Sequence, residues 1–422
     1  MSDESTIARE FAIIGGGLAG SALAIRLRQA GRDVVLFEKE RFPRDKLCGE
    51  FLSPESRALL DRLGCLDAIL DRGAVPIHRA RFTSTGGRSL ETELPAPGLG
   101  VSRVVLDATL FERARQLGAT AHEEAEVSVG RKAVWGEDVI PLDVRIGSAE
   151  SRATAAQFQA RSVVGAHGRR TRLDDALGRA FVSGDYPYLG FKLHHRPLDG
   201  ATGDRLRNEL AGVVEIHTFR DGYCGLTFVE EGKVNVCMLT SKRFVGSLRS
   251  ARWPDIRDGV AAENPKLAER LTALYPLREQ ALAVGHVPFC FKEQADDRVI
   301  YVGDSAGMIA PFCGGGQTMA ISSAFILGDL MASLPRRFGV VERRRLAREW
   351  IRVWLRRYRK RLLVGRALQS VLLRPRLAHL LLGCAVGCPS LVARLVRWTR
   401  VDGALDSASA PSLQAWGRTR TR

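Results

Sequence analysis

Phe11-Ala12-Ile13-Ile14-Gly15-Gly16-Gly17-Leu18-Ala19-Gly20 is an apolar run that breaks into three glycines and resumes in helix-forming residues. It reads as a strand, a tight turn and a helix. Gly15 permits the turn, Gly17 lets backbone approach a diphosphate, and Gly20 allows close helix–strand contact. The helix expected over 18–30, with Leu18 and Ala19 in its first turn, would aim free N–H groups and a positive dipole end at the phosphates. A second strand, Asp33-Val34-Val35-Leu36-Phe37-Glu38, ends in a carboxylate at the spacing of a ribose-hydroxyl acceptor, with Lys39 beside it. An acid there disfavours a 2′-phosphate. Glycines alone would be a weak signal, but strand, helix, strand and terminal acid in this order indicate a dinucleotide site.

A second glycine-rich stretch lies far along the chain: Val299-Ile300-Tyr301-Val302-Gly303-Asp304-Ser305-Ala306-Gly307, followed by Pro311 and Gly314-Gly315-Gly316. Again a short apolar strand delivers an acid, Asp304, able to accept hydrogen bonds from hydroxyls. Gly314–Gly316 open a helix expected over 317–332. Gly315, Gly316 and Gln317 therefore stand at its positive end, where developing negative charge is stabilised. Ala320, Ser322, Ser323 and Ala324 are small enough for this helix to pack closely on a sheet.

The chain has 422 residues, enough for two or three domains around a large core. Its 45% hydrophobic and 26% charged residues are ordinary for a soluble globular enzyme. Met1-Ser2-Asp3-Glu4-Ser5-Thr6 is acidic and polar, so no secretory signal is read, and the first strand leaves little room for a transit peptide. Eight cysteines (48, 65, 224, 237, 290, 313, 384 and 388) show no CxxC pairs or neighbouring histidines. No metal site is expected, and reduced thiols suit a cytoplasmic enzyme.

The net charge of +16 is concentrated. Arginines at 336, 337, 343, 344, 345, 348, 352, 356, 357, 359 and 361 crowd one stretch together with Lys360. Within it Ala347, Trp350, Ile351, Trp354, Leu355, Tyr358 and Leu362 recur at three- and four-residue spacing. Residues 336–362 thus read as a basic amphipathic helix rather than a nucleic-acid patch. Either its aromatic stripe packs on the body while arginines face water, or it meets an anionic surface on the inner face of a membrane. The apolar run 377–394, interrupted by Pro389, is short for a bilayer span and is expected to form a buried or interfacial hairpin. Residues 404–422 read as a disordered tail.

Strands alternating with helices at both ends enclose an antiparallel block. Helix 104–117 and strands 121–129 and 162–166 belong to the first pattern. The block comprises a hairpin, 81–83 with 89–94 turned at Thr85-Gly86-Gly87, then strands at 189–194, 213–219, 223–229 and 234–239 and a helical stretch at 253–274. The implied architecture is α/β. A discontinuous Rossmann-like nucleotide-binding domain (8–79, 100–187 and 292–335) carries an inserted antiparallel β-sheet substrate domain (80–99 and 188–291) and a helical C-terminal region (336–403).

Over roughly residues 10–370 these stretches resemble the flavoprotein superfamily of aromatic hydroxylases, flavin-dependent halogenases and geranylgeranyl reductases, with the reductase-like branch fitting best. Phe42-Pro43-Arg44-Asp45-Lys46-Leu47-Cys48-Gly49-Glu50 is similar to that branch's P-R-x-K-x-C-G signature, which implies flavin-site contacts for Arg44, Cys48 and Gly49. Arg103, in Ser102-Arg103-Val104-Val105-Leu106-Asp107, resembles the family's cofactor-contacting arginine. The resemblance makes the cofactor FAD, with Asp304 on its ribityl hydroxyls and the Gly314–Gly316 helix start at its N1–C2=O edge. Hydroxylases usually carry histidine where Gly307 stands, which favours the reductase-like branch. Cys48 is a candidate for contact with flavin or substrate, with a buried packing role as the alternative.

Two stretches depart from the family. In Val163-Val164-Gly165-Ala166-His167-Gly168, His167 stands where relatives carry an acid associated with coupling NAD(P)H to FAD. Direct reduction by NADPH or NADH is therefore expected to be slow, which leaves room for a ferredoxin-type donor. In Gly222-Tyr223-Cys224-Gly225-Leu226-Thr227-Phe228, Gly225 and Thr227 occupy aromatic positions of the reductases' lipid-pocket segment. A substrate pocket bounded by Tyr223, Gly225 and Thr227 is expected to be wider than theirs. The halogenase W-x-W-x-I-P signature is absent.

The resemblance thus implies an FAD-dependent oxidoreductase acting on an apolar small-molecule or lipid substrate. Reduction of C=C bonds on a prenyl or lipid-like chain is the first expectation. An FAD-dependent monooxygenase hydroxylating an aromatic or polyketide-type substrate is the alternative. A flavoprotein passing electrons to or from a membrane redox partner is a further one.

Overall fold

The computed structural model describes residues 8–130, 138–147, 154–374 and 376–380. The expected tail at 404–422, and the apolar run beyond Leu380, lie outside the described residues.

Two sheets organise the chain. The first contains β1 (Arg9–Ile14), β2 (Val34–Phe37), β6 (Thr120–His122), β7 (Ala125–Val129), β8 (Ile140–Ile146), β9 (Thr154–Gly165) and β16 (Val299–Tyr301). The second contains β3 (Phe51–Leu52), β4 (Val75–Thr83), β5 (Ser89–Gly100), β10 (Tyr188–Pro197), β11 (Val213–Phe219), β12 (Gly222–Phe228), β13 (Val234–Ser241), β14 (Leu274–Pro276) and β15 (Leu282–Val284).

In the first sheet the order is β6-β2-β1-β9-β8-β7, with β16 also on β9. β1, β2, β6, β9 and β16 run parallel, and the apolar runs 11–14, 34–37 and 299–301 are buried on both faces. The register aligns Ile14 with both Phe37 and Gly165, and Gly165 with Tyr301. Four loops therefore leave one edge side by side: Gly15–Gly17, Glu38, Ala166–Arg169 and Gly303–Asp304. This carboxyl edge is where open α/β sheets bind ligands. The first and last motifs also touch. Gly303 has φ +63, and a Cβ there would come within 2.8 Å of Ala19 Cβ on the first helix, Leu18–Gln29.

The second sheet runs β14-β10-β13-β12-β11-β4-β5-β3, with β15 on β10. Its pairings are antiparallel except β11 with β4. One face buries Phe191, Leu193, Val236 and Met238 against Trp253, Ile256, Leu267 and Leu271 of two covering helices. The other face looks toward the first sheet's carboxyl edge.

Several elements differ from the sequence expectation for identifiable reasons. The hairpin expected at 81–94 spans β4 and β5 in full, and Phe51–Leu52 joins its outer edge. β9 is longer than 162–166 because its half-exposed N-terminal part pairs with β8. The strand expected at 121–129 is broken by Glu124, whose φ is +52. The helical stretch 253–274 divides into Trp253–Glu263 and Pro265–Thr272. Proline forces Asn264 into extended backbone, and the Asn264 side chain then caps the second helix by accepting from Lys266 N and Leu267 N.

The arginine-rich helix is Val340–Leu372. Its aromatic stripe packs on the body: Trp350, Trp354 and Tyr358 are fully buried, and Trp350 Nε1 donates to Tyr301 O at 2.9 Å. Tyr358 and Ser322 hydroxyls lie 2.9 Å apart. No described helix is long and apolar enough to cross a membrane.

Candidate functional site

Two connected hollows lie at the aligned strand ends, an outer cleft of about 1270 Å³ and an inner cavity of about 230 Å³. They meet at Gly17, Lys46, Leu47, Ala166 and Arg169. An elongated ligand bent at Gly17 would occupy both.

The outer cleft carries the nucleotide-end residues. Gly15 has φ +111, and a Cβ there would stand 2.5 Å from Ala166 O. At Gly20 a Cβ would stand 1.8 Å from Gly15 O. Both glycines are obligatory for the turn and the close packing. Gly17 is different. Its Cβ position is open, with Lys46 Nζ at 3.8 Å and an Arg103 guanidinium nitrogen at 3.9 Å. Two cations flank the backbone cradle at the first helix, and a diphosphate has the charge and size to sit in it. Burial, reinforced by Arg103, lowers the Lys46 pKa to about 8.

Glu38 is 3% exposed. Its Oε2 accepts from Gly16 N at 2.9 Å and pairs with Arg44 at 3.1 Å, while Oε1 accepts from Glu40 N at 3.0 Å. A carboxylate offers about four acceptor positions, so one remains for a ribose hydroxyl. Arg44 therefore orients the acid, and its guanidinium also lies 5.2 Å from the Phe42 ring centre. Lys39 sits on the cleft rim, exposed and paired with Glu40 at 3.6 Å.

The inner cavity receives Leu18, Ala19, Cys48, Gly49, Arg103, Asp304, Gly316 and Gln317 from the expected cofactor set. Gly315 is the N-cap of the helix Gly316–Ala332 and does not itself line the cavity. Asp107 grips Arg103 through two bonds of 2.8 and 2.7 Å, fixing it beside Gly17. Gln317 donates from Nε2 to Phe51 O at 3.3 Å, leaving a buried Oε1 with no partner among the described residues. The helix start, the acceptor Asp304 and the cationic turn form a cradle with the charge pattern that FAD requires.

Opposite stands a mainly apolar wall from the second sheet and residues 308–312. Of the three expected substrate residues, Tyr223 and Gly225 line it. Thr227 does not: it is buried on the same strand, with Oγ1 directed to Phe228 O at 3.4 Å. The Tyr223 ring meets Phe312 edge-on at 5.7 Å. At Gly225 the nearest atom to a Cβ would be Cys237 O at 3.7 Å, so the missing side chain is cavity space. Cys48 lines the cavity, and its Sγ accepts from Glu50 N at 3.5 Å.

Side chains to which the sequence reading gave no cofactor contact complete the site. Glu50 is fully buried with φ +55. Its Oε1 accepts from Lys192 Nζ at 2.5 Å and Arg103 N at 2.7 Å, and its Oε2 lies 2.6 Å from His194 Nε2. Lys192 also bonds Asp45. This ionic knot clamps the 44–50 segment onto β10, so the two sheets share one wall of the cavity. Arg169 enters both hollows beside Asp304. His167 holds Asp174 at 2.9 Å, and Arg179 holds the same carboxylate oxygen at 2.8 Å while stacking 3.6 Å above Tyr301. His167 thus belongs to an ion cluster on the cleft wall.

Residues 9–216 match the FAD binding domain family. The chain is 27% identical over 354 residues to kynurenine 3-monooxygenase of Salinispora arenicola, covering 77% of this chain and 73% of that protein. It is also 27% identical over 388 residues to menaquinone reductase of Mycobacterium tuberculosis, covering 86% and 84%. The flavin-dependent brominase Bmp2 superimposes with a TM-score of 0.75 over 97% of both chains at 17% identity, a likeness of fold. Together with the paired glycine motifs and the two-cation cradle, these likenesses mark an FAD-dependent oxidoreductase.

Proposed function

We propose that the protein is an FAD-dependent monooxygenase that hydroxylates an apolar aromatic or polyketide-type substrate. The observation that carries this reading is the inner cavity, whose charged groups cluster at the Gly17 end while the opposite wall is apolar. Bound FAD supplies electrons for oxygen activation. The chain's own part is to hold the reacting edge in a compartment that excludes water, which suppresses wasteful loss of reducing equivalents. Glu50 supports the reading, because both its oxygens are engaged by Lys192, His194 and the Arg103 backbone. It therefore serves as a brace rather than a free acid. The similarity to kynurenine 3-monooxygenase points the same way.

Reduction of C=C bonds on a prenyl or lipid-like chain is the second reading, favoured by the likeness to menaquinone reductase along most of both chains. It also suits the apolar wall, and it fits Gly307, where a Cβ would lie 2.7 Å from the Trp354 ring, so a side chain there would require that ring to shift.

Isotopic oxygen separates the two. Reduced enzyme is incubated with a cellular extract under ¹⁸O₂, and products are compared by mass spectrometry. A product carrying one ¹⁸O atom is expected. A product gaining two hydrogens without label, under anaerobic conditions too, would replace this reading with the second.

A further inference from the structure

We propose that the outer face of the helix Val340–Leu372 seats the protein on an anionic lipid surface. The proposal stands apart from the reaction, holding whether the flavin oxygenates or reduces.

The inner face of this helix is committed to the body through Trp350, Trp354, Tyr358 and Leu362. The aromatic stripe therefore cannot be what touches a partner. The outer face is free of every described element. Arg348, Arg352, Arg356, Arg359 and Arg366 are exposed on it. At about 100° per residue they fall, with Leu355 and Leu363, inside an arc of roughly 100°. Leu355 is 36% exposed and Leu363 49%. Beyond the helix, Leu377 at 37% and Leu380 at 61% continue the exposed apolar atoms.

This arrangement works against the isolated chain. Arg348, Arg352, Arg356 and Lys360 follow at four-residue intervals, where like charges on a helix repel. Glu342 and Glu349 are the acids of this helix, and Glu349 pairs with Arg352. A partner dense in negative charge removes the repulsion. Leucines sharing the arc with the arginines select the class of partner. On a lipid surface arginines meet head groups while leucines enter the acyl boundary, whereas phosphates of a nucleic acid offer the leucines nothing.

The position of the helix gives the contact a use. Just past its end, Leu373 packs in one cluster with Tyr223, Leu239, Val287 and Met308, all of which border the inner cavity. A surface-bound molecule would hold that cavity close to the phase in which an apolar substrate dissolves.

The test is co-sedimentation of the FAD-loaded full chain with phosphatidylcholine vesicles, alone or containing about one-third phosphatidylglycerol. Binding is expected only with the anionic lipid, and it should fall as salt shortens the reach of exposed charge. R348Q/R356Q/R359Q should partition about a hundredfold more weakly, on the basis of ~1 kcal/mol per arginine. L355S/L363S should keep the salt-sensitive part and lose the rest. FAD content and melting temperature serve as folding controls and should match the parent. The proposal is overturned if neutral vesicles bind equally, if anionic vesicles do not bind, if the triple variant binds like the parent, or if duplex DNA binds more tightly at the same salt.

Discussion

Gly17 and Gly225 are both glycines facing open space, and they predict opposite consequences. The Gly17 Cβ position lies just under 4 Å from Lys46 Nζ and Arg103, so the fold itself tolerates a side chain there. The diphosphate does not. Gly17→Val is expected to give folded protein without flavin, measured as loss of FAD after desalting. At Gly225 the open space belongs to the substrate. Gly225→Trp should keep FAD and cut turnover of bulky substrates at least ~10-fold, since filling a pocket removes roughly 1–3 kcal/mol of binding per displaced group. An unchanged substrate range would show that the cavity wall lies elsewhere. Both positions were legible in the sequence because a motif marked them. Lys192 and His194 were not. They reach Glu50 across 142 and 144 residues and from the other sheet, and nothing local distinguishes a strand lysine turned onto a buried acid from one facing water.

Among the elements, the helix Val340–Leu372 shows how periodicity can be read correctly and still leave its meaning open. Spacing alone yields the stripe of Trp350, Trp354 and Tyr358, but whether that stripe meets lipid or protein depends on what lies opposite. The structure answers with Tyr301, Ser322 and Gly307. Trp354→Ala removes a fully buried ring packed over Gly307 and should lower stability by about 3–5 kcal/mol. Urea unfolding followed by circular dichroism tests this, and a loss below about 1 kcal/mol would mean the helix is only loosely attached. The break at Asn264-Pro265 illustrates the reverse case: the proline was in plain view, and local chemistry outweighed the apolar periodicity that runs through it.

At the scale of the molecule, acid stability follows from two buried carboxylates. Burial alone would raise both. Instead His167, Thr171 N and Arg179 hold Asp174 at about 2, and His217 with Arg270 hold Glu215 at about 2. A folded-state pKa below the unfolded one stabilises the native state above the unfolded value and loses that stabilisation as pH falls through the folded one. Stability should thus be complete above pH ~4 and fall between ~4 and ~2, by on the order of 2 kcal/mol for each acid. Asp174→Asn with Glu215→Gln should flatten the acid limb of the urea-midpoint profile. Electron supply is a second whole-molecule property. With His167 tied to Asp174 on the cleft wall, anaerobic bleaching of the flavin by NADPH or NADH is expected to be slow, and reduction by dithionite or a ferredoxin-type donor faster. Stopped-flow absorbance decides, and rapid bleaching by a nicotinamide would remove the expectation.

The seating of β16 against β9, beside β1, also sets a clock. A ribosome releases residues in order, at about 5–20 per second. Gly17 emerges early, yet Asp304 and the start of the helix Gly316–Ala332 follow only after some 15–60 s of further synthesis at that pace. Until then β9 lacks a neighbour, Ala19 lacks the turn at Gly303 that closes on it, and the nascent chain can offer the cofactor only half a berth. Capture of FAD is therefore a late event in the birth of this protein.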